Sequence, residues 1–175
     1  MSIHSGQYVK THRVVVIAVL SALYFVLSAL LHIPVFGKIR LDLGYIALML
    51  AVVLMGAIPG ALVGGIGAFL VSLLLHGRVS PGWIAMNLII GALCGLVLFK
   101  RRNIERKKLI PAACIIVTLS MIPAVAVKTL IDCAIDGTPL LLNVSSAIAA
   151  GSLDAAVMLI LGLPISLTLK DRIKL

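Results

Sequence analysis

Lys128, Asp154 and Asn87 have the most to explain, because each falls inside an apolar run. An ionisable group in hydrocarbon costs about 2.5–3.5 kcal/mol on insertion scales, so it must be paired or face a wet cavity. At 1.5 Å per helical residue, Lys128 lies roughly 5–8 Å and Asp154 roughly 15–18 Å below the same end of the runs that carry them. An extended lysine spans part of that gap. Two arrangements are therefore open: a Lys128–Asp154 ion pair (or a snorkelling lysine), and a set of groups lining a ligand cavity. Further polar groups gather towards that end. Lys38, Arg40 and Asp42 precede Tyr45, Arg78 and Ser80 precede Trp83, and Asp132, Asp136 and Asn143 flank the last polar loop. Such a set suits capture of a small molecule, and its cations favour one carrying a carboxylate or phosphate. Lys38 and Arg40 read equally well as solvated loop charges, and Trp83 as an interfacial anchor.

Catalysis has no comparable support. There is no GxSxG, HExxH or Walker A loop and no metal-type cluster. His4, His12, His32 and His76 are scattered, and Gly65-Ile-Gly67 lies inside an apolar run rather than between a strand and a helix. No catalytic residue, metal or cofactor is expected. Cys94, Cys114 and Cys133 have no CxxC spacing and read as small packing residues.

The elements that must position these groups are membrane helices. Of 175 residues, 62% are hydrophobic and only 12% charged, with mean hydropathy +1.22. That is too little charge to cover a soluble globule. A span needs about 20 apolar residues. The expected spans are Val14–Ile33, Leu43–Met55 (short for a crossing), Gly60–Leu75, Trp83–Phe99, Leu109–Ile131 and Leu142–Leu169. Gly56–Gly60 reads as a tight turn, Pro123 as a kink, and Pro164 as a break in the last span. The first run is longer than a signal-peptide core and reads as a retained span.

Orientation follows from charge. Of the 15 Lys and Arg, eleven fall in the N-terminal segment, in Lys100–Lys108 and in the C-terminal tail. Lys38, Arg40 and Arg78 fall in the alternate loops, and Lys128 lies within a span. Basic loops stay cytoplasmic, so the expectation is an all-α integral membrane protein: a six-transmembrane-helix bundle with both termini cytoplasmic. It forms a single membrane domain over 1–175, with a cytoplasmic N-terminus at 1–13, an outer loop at 34–42, a basic cytoplasmic loop at 100–108 and a cytoplasmic tail at 170–175. The net charge of +9 is explained by this bias and by anionic lipid rather than by nucleic acid. Small residues recur every fourth position in Ala18/Ala22, Gly56/Gly60/Gly64, Gly91/Gly95 and Ala147/Gly151/Ala155. That spacing allows close helix packing. No inverted repeat is visible, so nothing in the chain suggests alternating access unaided.

Taken in order, several stretches resemble the substrate-binding S components of energy-coupling factor (ECF) vitamin transporters. They are Ala18-Val-Leu-Ser-Ala22, Arg40-Leu-Asp-Leu-Gly-Tyr45, Leu54-Met-Gly-Ala-Ile-Pro-Gly-Ala-Leu-Val-Gly64 and Ser80-Pro-Gly-Trp83. The likeness is greatest to the folate, pantothenate and hydroxymethylpyrimidine group. It implies a multi-pass subunit in a prokaryotic plasma membrane that captures a water-soluble vitamin or precursor from outside. Delivery would need a transmembrane coupling subunit and two ATPases. It further implies that Ala18 and Ala22 dock the coupling subunit, that the 34–42 loop is a lid, and that the glycine-rich faces help the bundle slide. The implied cavity is lined from Lys38, Arg40, Tyr45, Arg78, Trp83, Asn87, Lys128 and Asp154. With those cations, folate or pantothenate fits best. The alternatives are a small membrane enzyme using Asp154 with Lys128 or His76, and a self-sufficient small-molecule transporter.

Overall fold

A computed structural model describes residues 3–30, 33–36, 39–101, 105–137 and 139–173, with side chains from 11–30, 41–101, 105–137 and 139–172. The chain runs α1 (Ile3–Leu30), β1 (Ile33–Phe36), β2 (Ile39–Leu41), α2 (Tyr45–Met55), α3 (Ala57–His76), α4 (Pro81–Arg101) and α5 (Arg106–Asp136). It ends on α6 (Leu140–Val157), which passes through a π-helical turn, Met158–Gly162, into α7 (Leu163–Ile173). Among the described residues, five helical stretches are long and apolar enough to cross a membrane: Thr11–Leu30, Ala57–His76, Pro81–Arg101, Arg106–Asp136 and Leu140–Arg172.

The second expected span is different in kind. Its helix, α2, has 11 residues, roughly 16 Å against a hydrocarbon core of about 30 Å. Tyr45 and Ala47 to Val53 are buried on every side, so α2 is a core helix rather than a lipid-facing one. The rest of that crossing is irregular chain from Asp42 to Gly44. Irregular backbone at membrane depth persists only where protein or a cavity surrounds it. α1 stops at Leu30, three residues short of the expected end, and Ile33 instead opens a strand. The residue before a proline is pushed out of the helical region, and Pro34 follows Ile33. β1 pairs antiparallel with β2, with Ile33 opposite Leu41 and Pro34 opposite Arg40. The loop at 34–42 is therefore a hairpin, and its residue Lys38 lies outside the described residues.

Elsewhere the helices overrun their expected ends. Gly56, at φ +97°, is the whole break between α2 and α3. Pro59 sits in the first turn of α3, where its absent N–H costs nothing. α5 continues past Ile131 to Asp136 and stops at Gly137, which adopts the left-handed conformation usual after a helix. Pro164 does not break the last span. The π turn just before it absorbs the proline's misfit and keeps the axis continuous.

The glycine-rich faces are sealed inside. A methyl on Gly91 would come within 2.4 Å of the Gly60 carbonyl oxygen, and one on Gly64 within 2.7 Å of that of Asn87. α3 and α4 thus touch backbone to backbone. These glycines let the two helices pack in close register.

Candidate functional site

Six polar residues from five elements meet in the core on the hairpin side. α1 contributes Tyr24 and Ser28, the Asp42–Gly44 stretch contributes Asp42, α2 contributes Tyr45, α4 contributes Asn87, and α6 contributes Asp154. Tyr24, Ser28, Tyr45, Asn87 and Asp154 are all buried. Asp42 caps the entry to α2: one carboxylate oxygen accepts from the Gly44 N–H at 2.8 Å and from Ser28 Oγ at 2.5 Å. Tyr24 Oη lies 3.4 Å from the other Asp42 oxygen and 3.3 Å from Asn87 Oδ1. Asn87 Nδ2 donates to the Trp83 carbonyl at 2.9 Å, which turns its amide oxygen inward. The Tyr24 and Tyr45 rings are tilted against each other with centroids 5.9 Å apart. Gly67 and Gly44 make this packing possible, since a Cβ on either would overlap the Tyr24 ring.

Two atoms are left over. Tyr45 Oη and Asp154 Oδ2 are sealed from solvent and near enough to interact with each other, but neither has a hydrogen-bond partner of good geometry among the described residues. A buried polar atom without a partner costs about 1–3 kcal/mol. A carboxyl group, a phenol and an inward-turned amide oxygen together can accept from N–H or O–H groups of a small polar molecule. Tyr45 can also donate.

Of the residues expected from sequence to line a cavity, the fold brings together Tyr45, Asn87 and Asp154, with Trp83 one turn from Asn87 and packed against the core. Arg40 is placed in β2 by its backbone, and Lys38 lies outside the described residues. Arg78 and Lys128 stand apart. Arg78 forms a bidentate pair with Asp136 at 2.6 and 2.7 Å, with the two side chains 66% and 32% exposed. Lys128 pairs with Asp132 at 2.6 Å, one helical turn away, and both are 13% exposed. The Lys128–Asp154 ion pair, one of the two arrangements left open by the sequence, is therefore absent among the described residues. Asp132 and Asp136 looked like loop residues, but the extra turns of α5 bring them into reach. The positive charge that argued for an anionic ligand is, at Arg78 and Lys128, answered within the chain.

Tyr24 and Ser28 escaped the sequence reading. Their signal was present: Ser21, Tyr24 and Ser28 fall at helical spacing on a face of α1 about 100° round the axis from Ala18 and Ala22. All three are buried, while Ala18 and Ala22 are exposed.

Comparison with known proteins agrees with this architecture. The family model described as "ECF-type riboflavin transporter, S component" matches residues 8–171. A solved structure described as the S-component for biotin from an ECF-type ABC transporter superposes with a TM-score of 0.68, covering 98% of this chain and 95% of that one at 22% identity. A curated relative, UPF0397 protein PA0141 of Phytoplasma australiense, is 30% identical over 102 residues. That match covers 56% of this chain and 53% of the relative, so the chain spans about half the relative's length.

Proposed function

We propose that this chain, which belongs to the family of ECF-type riboflavin transporter S components, uses the buried polar cluster beneath its hairpin to bind a riboflavin-like vitamin. Members of this family are transporter subunits rather than enzymes, and the chain is a multi-pass membrane protein. The observation that carries the proposal is the orphaned pair, Tyr45 Oη and Asp154 Oδ2, in the core beside Asn87. A flavin presents a ring N–H, two carbonyls and a hydroxylated side chain, which supply both donors and acceptors to these groups. The family's description names riboflavin. A folate- or pantothenate-like anion is disfavoured, because Arg78 and Lys128 already have carboxylate partners. The 34–42 hairpin serves as the lid, with Lys38 and Arg40 on it. Trp83 closes the cluster towards the hairpin side.

Delivery then depends on a coupling subunit and its ATPases. Ala18 and Ala22 form the docking face. They are exposed on α1, whose apolar stretch is the least buried of the five at 17%. The chain works as one membrane domain with both ends in the cytoplasm.

The test is direct binding. Purified protein in detergent should bind riboflavin and quench its fluorescence without ATP. Asp154→Asn should weaken binding roughly tenfold, as for the loss of one buried hydrogen bond. A folded protein that ignores riboflavin but retains folate or pantothenate would reverse the ligand assignment. Equal affinity of wild type and Asp154→Asn would reverse the site assignment.

A further inference from the structure

An apolar concavity lies on the flank of the bundle, between α5 and α6. It holds about 630 Å³ and is walled by Met121, Ile122 and Val125 on one side and by Ile148, Ala156 and Leu159 on the other. Two hydroxyls reach it, and both are already engaged with their own helices: Thr118 donates to the Cys114 carbonyl and Ser152 to the Ala149 carbonyl, each at 2.8 Å. The walls therefore offer no free hydrogen-bonding group among these residues, which suits an alkyl occupant. Along α6 and into the π turn the groove runs from Ile148 to Leu159, roughly 16 Å of helix.

The stripe that forms the α5 wall continues towards the basic end. Lys107, Pro111, Cys114, Thr118, Met121 and Val125 recur at spacings of three and four, so they share one face. Lys107 and Lys108 are exposed. The span from Lys108 to Thr118 is roughly 15 Å, about half the hydrocarbon core. A headgroup held by these lysines thus places the end of its acyl chain in the groove. At the opposite end of α5, Asp132 and Asp136 are engaged with Lys128 and Arg78.

We propose that this groove is a lipid site: it takes the acyl chain of one anionic phospholipid whose headgroup rests on Lys107 and Lys108. The inference is independent of which vitamin the core binds. The full-length protein, exchanged into bilayer discs of mixed phosphatidylglycerol and phosphatidylcholine, should release one retained phosphatidylglycerol in native mass spectrometry. Ala156→Phe should abolish that adduct, and Ser152→Leu on the exposed rim provides the same blockade if the first variant does not fold. Lys107→Gln with Lys108→Gln should cut the preference for phosphatidylglycerol by roughly thirtyfold, as expected for two surface lysines. A wild-type protein without a retained lipid, an adduct unchanged by groove filling, or a preference indifferent to the lysines would each overturn the site. Loss of a co-purifying protein from the filled variants with lipid unchanged would assign the groove to a partner helix instead.

Discussion

At Asp154 the proposed binding role and stability pull in opposite directions. Its Oδ2 is buried without a hydrogen-bond partner of good geometry among the described residues, so the ligand-free protein carries a cost that a ligand can remove. Asp154→Leu, similar in shape but apolar, should raise the unfolding temperature of the ligand-free protein and abolish vitamin binding. A thermal scan with and without riboflavin checks both halves, and a destabilised apo variant would contradict the account. Tyr24 should behave differently. Its hydroxyl contacts are long, at 3.3 and 3.4 Å, while its ring fills the space above Gly67. Tyr24→Phe should cost less than about 1 kcal/mol. Tyr24→Ala should cost about 3–5 kcal/mol, the range for losing a large buried aromatic. Chemical denaturation in detergent separates the two.

The same small-residue spacing has different consequences on different helices. Between α3 and α4 it brings backbones together, and a Cβ on Gly91 would meet Gly60 backbone atoms at 2.4 and 2.5 Å. Neither helix can yield locally, so Gly91→Ala should destabilise by about 1–3 kcal/mol, as overpacking does. On α6 the nearest atoms to a Cβ on Gly151 are side-chain atoms of Met121, Met86 and Val125 at 3.6–3.7 Å. Gly151→Ala should therefore be tolerated. Comparing the unfolding temperatures of the two variants tests the distinction, and equal losses would refute it. The π turn at Met158–Gly162 marks another local choice. Gly162 lies against Met49 of α2, where a Cβ would fall 2.8 Å from the Met49 Cβ. The wider turn lets α7 rejoin the core beside the short α2 without a kink at Pro164.

The whole bundle presents two faces of different use. One face of α1 carries the buried Ser21, Tyr24 and Ser28, and another the exposed Ala18 and Ala22 with Val15, Val19 and Val26. Ala18→Trp with Ala22→Trp should abolish uptake in cells that also supply a coupling subunit and ATPases, while leaving riboflavin affinity unchanged. Loss of affinity with normal complex assembly would exchange the two faces. Orientation is open to a labelling test. In a cysteine-free background, Ser80→Cys and Gly137→Cys should react with an impermeant maleimide on intact cells, and Glu105→Cys only after permeabilisation. The reverse pattern would invert the bundle.

Hydropathy and charge determined much of this protein without coordinates. Long apolar runs have one stable form in hydrocarbon, and the asymmetry of Lys and Arg supplies the orientation that the labelling test checks. Tyr45, Asn87 and Asp154 were legible as polar groups that must be buried together, because polar groups inside apolar runs are too costly to be accidental. The partners of those groups were not legible. Whether Lys128 meets Asp154 or Asp132 depended on how far α5 continues, which Gly137 and the packing of neighbouring helices decide rather than hydropathy. Likewise, an 11-residue apolar stretch reads the same whether it faces lipid or protein. Only the surrounding helices make α2 a core element and turn the irregular chain before it into the floor of a polar cluster. Burial is a property of neighbours, so the tertiary structure alone could assign it.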